Sequence, residues 1–242
     1  MIDTTEAIVL HHFKYSDTSI ILHAYTRNYG RLSFLLQGVR KRNSRKKINL
    51  FQPLYILELE MYYKEKRQLQ KIKEARNAYP YQSIPHDYRK TSMALFMAEM
   101  LYKCLREEEP NPELFAFISH QLRIFDLKKQ GLANFHLYFM TQLTKYLGFF
   151  PHNNFDASSA PYFDEKKGHF TAFPPKHHHH LDKNESALMA QLLNLSEDQH
   201  EELQITRNRR IKILHALVDF YYLHIPGMGQ INSFEILKDT FR

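Results

Sequence analysis

A chain of 242 residues, 43% hydrophobic and 24% charged, is long enough for one large or two smaller cores. Seven glycines, with no GxGxxG and no GxxxxGKS or GxxxxGKT, argue against a nucleotide-binding α/β fold, and the single Cys104 rules out an intramolecular disulfide or a thiolate zinc site. The net charge of +7 is uneven: residues 1–80 carry 15 Lys/Arg against 7 Asp/Glu and residues 81–242 carry 18 against 19, so the whole excess lies in the first third.

The opening residues Met1 to Glu6 are polar and acidic, unlike a signal peptide. No run of about 18 apolar residues follows, so no membrane span is expected and the protein reads as soluble and cytoplasmic. From Thr5 to Tyr79 the apolar period is close to two. Glu6 to Tyr15 reads as a first strand, Ser16-Asp17 as a turn and Thr18 to Thr26 as a second strand. Asn28-Tyr29-Gly30 is a hairpin turn in which Gly30 suits a positive φ. Arg31 to Val39 makes a third strand. Arg40 to Lys47 then places six cations in eight residues, with nothing acidic among them. Pro53 to Lys64 is a long fourth strand with Leu57, Leu59, Met61 and Tyr63 on one face, and Gln68 to Ala78 a weaker fifth. Five strands joined by short turns and one longer loop suit a closed OB-fold barrel.

Two prolines, Pro80 and Pro85, break this pattern, and the period becomes helical. Asp87 or Thr91 can cap a helix to about Arg106 with Ala94, Met97, Ala98, Leu101 and Leu105 in one stripe. Cys104 falls on this helix as a small buried residue. Further helices run from Glu113 to Leu127 and through Phe135, Phe139 and Leu143 to Gly148. Residues 149–182 form a loop-like insertion containing a hairpin, Tyr162 to Phe170, and four successive histidines, His177 to His180. The last helices run from an Asn184 cap to Asn194, from Thr206 to His224 and from Phe234 to Asp239. The chain is therefore expected to be α+β: an OB-fold domain over residues 1–80, then an all-helical domain over residues 81–242 with its insertion at about 149–182.

A cationic loop between strands of a small barrel is a grip for a polyanion; the bland alternative is a solvated loop that aids solubility, and the charge asymmetry favours the grip. Arg27 and Arg31, flanking the Gly30 turn, can extend the surface formed by Arg40, Lys41, Arg42, Arg45, Lys46 and Lys47. Tyr25, Tyr29 or Tyr55 can stack bases, or pack on the barrel rim with their hydroxyls in water. The histidine run lacks the separated, shaped donor positions of a dedicated metal site, so no metal or other cofactor is expected. No HExxH, GxSxG or two-metal carboxylate arrangement is present, and the expectation is a binding protein rather than an enzyme. An RNA-binding OB-fold protein and a metal-dependent hydrolase built on the histidine segment are the alternatives.

Several stretches resemble bacterial RecO recombination mediators: Ile8 to His11, Tyr15 to Ile21, Thr26 to Ser33, Gln37 to Lys41, Leu50 to Leu54, Leu57 to Leu59 and, later, Leu147 to Pro151. The resemblance implies an N-terminal OB-fold and a C-terminal helical domain. It further implies binding of single- and double-stranded DNA, strand annealing, and work with RecR to load RecA onto strands coated with single-strand DNA-binding protein (SSB), in a nucleoid-associated setting. For the acidic, apolar-ended SSB tail, Arg123, Lys128, Lys129, Arg207, Arg209 and Arg210 are candidate contacts. Some family members carry a four-cysteine zinc module in the insertion; here residues 154–180 contain no cysteine.

Overall fold

The computed structural model describes residues 2–39, 48–197, 199 and 203–240. Alternating apolar residues build five antiparallel strands: β1 (Ile2–Lys14), β2 (Ile20–Thr26), β3 (Gly30–Leu36), β4 (Ile56–Tyr62) and β5 (Lys71–Asn77). They are hydrogen-bonded in the order β3-β2-β1-β4-β5. Ala7, Val9, Leu22, Ala24, Phe34, Leu57, Leu59 and Met61 point to one interior and share a core cluster, as the two-residue period requires. The outward-facing Ile8, Leu10 and Ile56 are also buried. Helix α1 (Tyr88–Cys104) packs on β1, which explains why the middle of β1 is apolar on both faces.

The ladder is not closed along its length. Its two edge strands meet at one parallel bridge between Phe34 and Gln70. There Leu35 N–H donates to the Gln70 carbonyl at 3.1 Å, and Gln70 N–H donates to the Ser33 carbonyl at 2.7 Å. Gln70 is itself buried, and its amide bonds the backbone of Lys64 and Arg67 in the β4–β5 turn. The expected barrel is thus an OB-like five-stranded sheet whose edges touch at a point.

By compactness the chain forms two units, residues 1–127 with 231–237 and residues 128–230 with 238–242. The first holds the sheet, α1 and α2 (Pro112–Leu127). Asp87 caps α1 through the Arg89 amide, and the predicted stripe from Ala94 to Leu105 is buried. Helix α2 begins at Pro112, where a missing N–H costs nothing, and the Asn111 side chain accepts from Leu114 N–H at 3.0 Å. Asp126 near its end is buried and accepts the backbone amides of Gln82, Ser83 and Ile84 at 2.8–3.0 Å. The proline-marked connection is thereby tied to α2.

The second unit contains α3 (Phe135–Tyr146), β6 (Tyr162–Asp164), β7 (His169–Thr171), α4 (Lys183–Asn194) and α5 (Arg207–His224); α6 (Phe234–Thr240) ends the described chain. Ten consecutive residues of α3, Phe135 to Thr144, are buried, as befits the central helix of a unit. The cap of α4 is Asp182, which accepts from Asn184 N–H and Glu185 N–H. Asn184 was the expected cap; two positions further on it lies within the first turn, and the Asp182 carboxylate takes the orphan amides instead. The expected hairpin is present, and Gly168 leaves its turn at φ +66°.

Candidate nucleic-acid interface

Strand β3 leads through Gln37 and Gly38 to Val39, which is buried in the core of the sheet. The cationic residues Arg40, Lys41, Arg42, Arg45, Lys46 and Lys47 lie outside the described residues. The description resumes at Ile48, and a single turn, Asn49–Phe51, returns Phe51 to the same core cluster as Val39. The described residues on either side of the basic segment, Val39 and Phe51, thus belong to one core cluster. Between them opens a cavity of about 430 Å³ lined by Leu36, Val39, Leu50, Phe51, Lys71 and Lys73, among others. Lys71 is exposed, and Lys73 pairs with Glu60 at 2.6 Å on the surface. The two lysines were missed in the sequence, although their two-residue spacing on a strand places them on one face.

The Gly30 turn lies against the chain that follows α1. Gly30 sits at φ +60°, and a Cβ there would meet the Glu109 carbonyl oxygen at 2.3 Å. Beside it, Arg31 N–H donates to the Glu107 carbonyl at 3.0 Å. The Arg31 guanidinium donates to the carbonyls of Tyr102 and Leu105 at 2.8 and 2.9 Å and lies 4.4 Å over the Tyr102 ring. These carbonyls belong to the C-terminal end of α1, where a cation is favoured. Burial lowers the Arg31 pKa below its ordinary value. Arg27 is exposed, pairs with Glu6 at 2.6 Å and covers the Phe115 ring at 4.9 Å.

Tyr25 is 3% exposed and stacks on Phe115, so its ring is not available to a base; burial foremost pushes its hydroxyl up to about 12. Tyr29 packs at a tilt against Tyr63 with centroids 4.1 Å apart and donates its hydroxyl to Asp3. Tyr55 meets Tyr81 edge-on. All three pack against other rings of the same unit.

Among the cations considered for an acidic tail, Arg123 lies 4.0 Å from Glu6 and 5.1 Å over Tyr79. Lys128 and Lys129, half-buried and exposed, follow α2. The basic start of α5 is occupied by its own unit. Arg207 donates to the Lys238 carbonyl, Arg209 to the Asn184 carbonyl, and Arg210 to Asn134 and the Ile205 carbonyl. These bonds explain how a cationic cluster is tolerated at a helix N-terminus that disfavours it.

A four-thiolate zinc module does not fit the insertion, which has no sulfur donor; Cys104 lies in α1, buried, with its thiol pushed up by that burial. Among the described residues, no helix is long and apolar enough to cross a membrane.

An OB-like sheet whose β3 leads into a basic stretch of sequence, followed by helices that carry a hairpin insertion, defines a class of two-part proteins with a nucleic-acid-type β-domain. The family is specific: the chain belongs to the Recombination protein O family, whose N-terminal model matches residues 1–81 and whose C-terminal model matches residues 85–230. It is 37% identical to proteins called DNA repair protein RecO from Phocaeicola vulgatus, over 241 residues, and Bacteroides fragilis, over 242, with all of each chain covered. Identity to the Flavobacterium johnsoniae protein of the same name is 36%, covering 98% of each chain. Membership assigns the chain to DNA repair and recombination.

Proposed function

We propose that this protein is a recombination mediator that binds single- and double-stranded DNA, anneals complementary strands, and acts with RecR to load RecA onto SSB-coated DNA. The observation supporting the binding step is the setting of the basic segment. Val39 and Phe51, which flank it in the sequence, sit in the sheet core beside a groove that Lys71, Lys73 and Glu74 line. Six cations in eight residues can neutralise phosphates of two backbones at once, lowering the repulsion that opposes annealing, and they need no base-specific contact to do so. Arg27 lies on the same β-domain and extends the cationic surface, whereas the bonds of Arg31 favour a structural role.

No bond is made or broken in such a reaction, so the protein acts as a mediator and not as an enzyme, working in the cytoplasm at the nucleoid. For the acidic SSB tail, Arg123, Lys128, Lys129, Arg207, Arg209 and Arg210 are the candidate contacts; the last three would have to share guanidinium groups that already hold backbone carbonyls. Fluorescence anisotropy with labelled DNA and RNA of equal sequence tests the binding step. DNA should bind at least as tightly as RNA; a clear preference for RNA would replace this function with RNA binding. Addition of purified RecR and RecA to SSB-coated DNA tests loading, which should require both this protein and RecR.

A further inference from the structure

The hairpin insertion and α5 bring together a set of donors that DNA binding does not use. Glu165 opens the turn after β6, His179 lies in the histidine run, and Asp219 projects from α5. Backbone pairing sets the first two side by side. Glu165 N–H donates to the His179 carbonyl at 3.1 Å, Leu181 N–H donates to the Phe163 carbonyl at 3.0 Å, and Asp164 bridges His180. One ligand atom from each of Glu165, His179 and Asp219 lies within 4.8 Å of the others.

Glu165 is 4% exposed. Among the described residues its carboxylate accepts no hydrogen bond, and His179 Nδ1 is 3.9 Å away. The neighbouring Asp164 is also buried, but accepts from the backbone amides of Lys166 and Lys167 at 3.0 and 3.2 Å. A buried carboxyl without a donor, facing a second carboxylate, must either keep its proton or have a cation between the two, and a metal ion can displace that proton. Glu165 and Asp219 line a cavity of about 290 Å³ whose wall also holds His180, Asp182, Glu185, Lys212 and His215; His179 stands beside it. Lys212 is paired with Glu185 at 3.4 Å. His180 donates Nδ1–H to the His177 carbonyl at 2.7 Å, leaving the Nε2 lone pair as an acceptor.

We propose that Glu165, His179 and Asp219 bind one zinc ion, with a water molecule from the adjoining cavity as fourth ligand. One imidazole nitrogen and two carboxylate oxygens form a tetrahedral zinc donor set once that water is added, whereas calcium would need six or more oxygens. The ion would join the hairpin turn, the histidine run and α5, which are far apart in sequence. Its role is that of a staple.

The full chain, stripped with a chelator, is titrated with zinc sulfate against a chromophoric competitor, and its thermal midpoint is followed with and without zinc. One zinc per chain should bind and raise the midpoint. Glu165→Gln and Asp219→Asn should each weaken binding at least tenfold and remove the rise in midpoint, while His178→Ala, at an exposed member of the run, should change neither. Gln is nearly isosteric with the buried carboxyl of Glu165, so without metal Glu165→Gln should be about as stable as the parent, and its loss of binding would not reflect unfolding. Unchanged zinc binding in both carboxylate variants would overturn the proposal, as would failure to take up zinc at micromolar free concentration; the first result would mean capture by the histidine run alone. Should either variant fail to fold, X-ray absorption of the zinc-loaded parent decides: carboxylate and imidazole donors support the site, and imidazoles without carboxylate refute it.

Discussion

Arg31 and Tyr102 are joined twice, by a guanidinium bond to the Tyr102 carbonyl at 2.8 Å and by the guanidinium lying 4.4 Å over the Tyr102 ring. With the second bond to Leu105, this cation closes the end of α1. Arg31→Ala should therefore lower stability by about 2–3 kcal/mol, the range for losing charge-assisted bonds to half-buried carbonyls. Arg27→Ala removes an ion pair that is partly open to solvent and should cost about 1 kcal/mol or less. Urea denaturation of the two variants checks the order, and oligonucleotide titration should show the reverse ranking, with Arg27→Ala the weaker binder.

The turn that delivers Arg31 admits no side chain. At Gly30 a Cβ would meet both a left-handed backbone and the Glu109 carbonyl at 2.3 Å. Gly30→Ala should destabilise by about 2 kcal/mol or more, measured by the shift of the urea midpoint. A change below about 0.5 kcal/mol would show that the Glu107–Glu109 segment yields easily.

Two buried groups predict that stability falls in acid. Burial, and then the charge of Arg210, lowers His136 from 6.5 to about 3, so the folded chain keeps it neutral. Its contribution is complete above pH 6.5 and is lost as pH falls toward 3, because the unfolded chain takes up the proton first, at up to about 1.4 kcal/mol per pH unit. For Asp126, burial pushes the carboxyl up, but the amides of Gln82, Ile84 and Ser83 outweigh it and hold the pKa below its usual value. That stability is present above the ordinary carboxylate range and disappears as pH falls below it. Glu165 works in the opposite direction: burial, then Asp219 and Asp164, raise it to about 8, and its neutral form favours the fold less as pH rises from 4.5 toward 8. The readout is therefore a difference between proteins. His136→Leu should flatten the dependence of unfolding free energy between pH 6.5 and 5, with the fall below pH 4 retained.

Much of the architecture was legible because it is written in periods. The Leu57-x-Leu59-x-Met61 alternation gave the interior face of β4, and the change to a helical stripe from Ala94 gave α1. The meeting of the sheet edges was not legible, since it rests on one bridge at Gln70, and a lone glutamine reads the same in a solvated turn. Arg31 looked equivalent to Arg27 because sequence cannot show that a helix end lies behind one and solvent before the other. The closeness of His179 and Asp219 was hidden for a similar reason: 40 positions separate them, and the fold of the insertion brings them together.

If the six cations of Arg40–Lys47 each neutralise a phosphate of single-stranded DNA, log affinity should fall with log salt at a slope of about −4. Anisotropy titrations between 50 and 200 mM salt should then show a loss of ~300-fold. If Lys71 and Lys73 in the groove also contact phosphates, the parent slope should be steeper than about −4, and replacing both by Gln should return it to about −4.

The central claim is that the basic segment flanked by Val39 and Phe51 brings two strands together. The most direct measurement is annealing of complementary SSB-coated oligonucleotides by the parent protein and by a variant in which Arg40, Lys41, Arg42, Arg45, Lys46 and Lys47 are all replaced by Gln. The account predicts that the variant keeps the parent's circular dichroism and urea midpoint and loses annealing. Annealing at the parent's rate by a folded variant would contradict it.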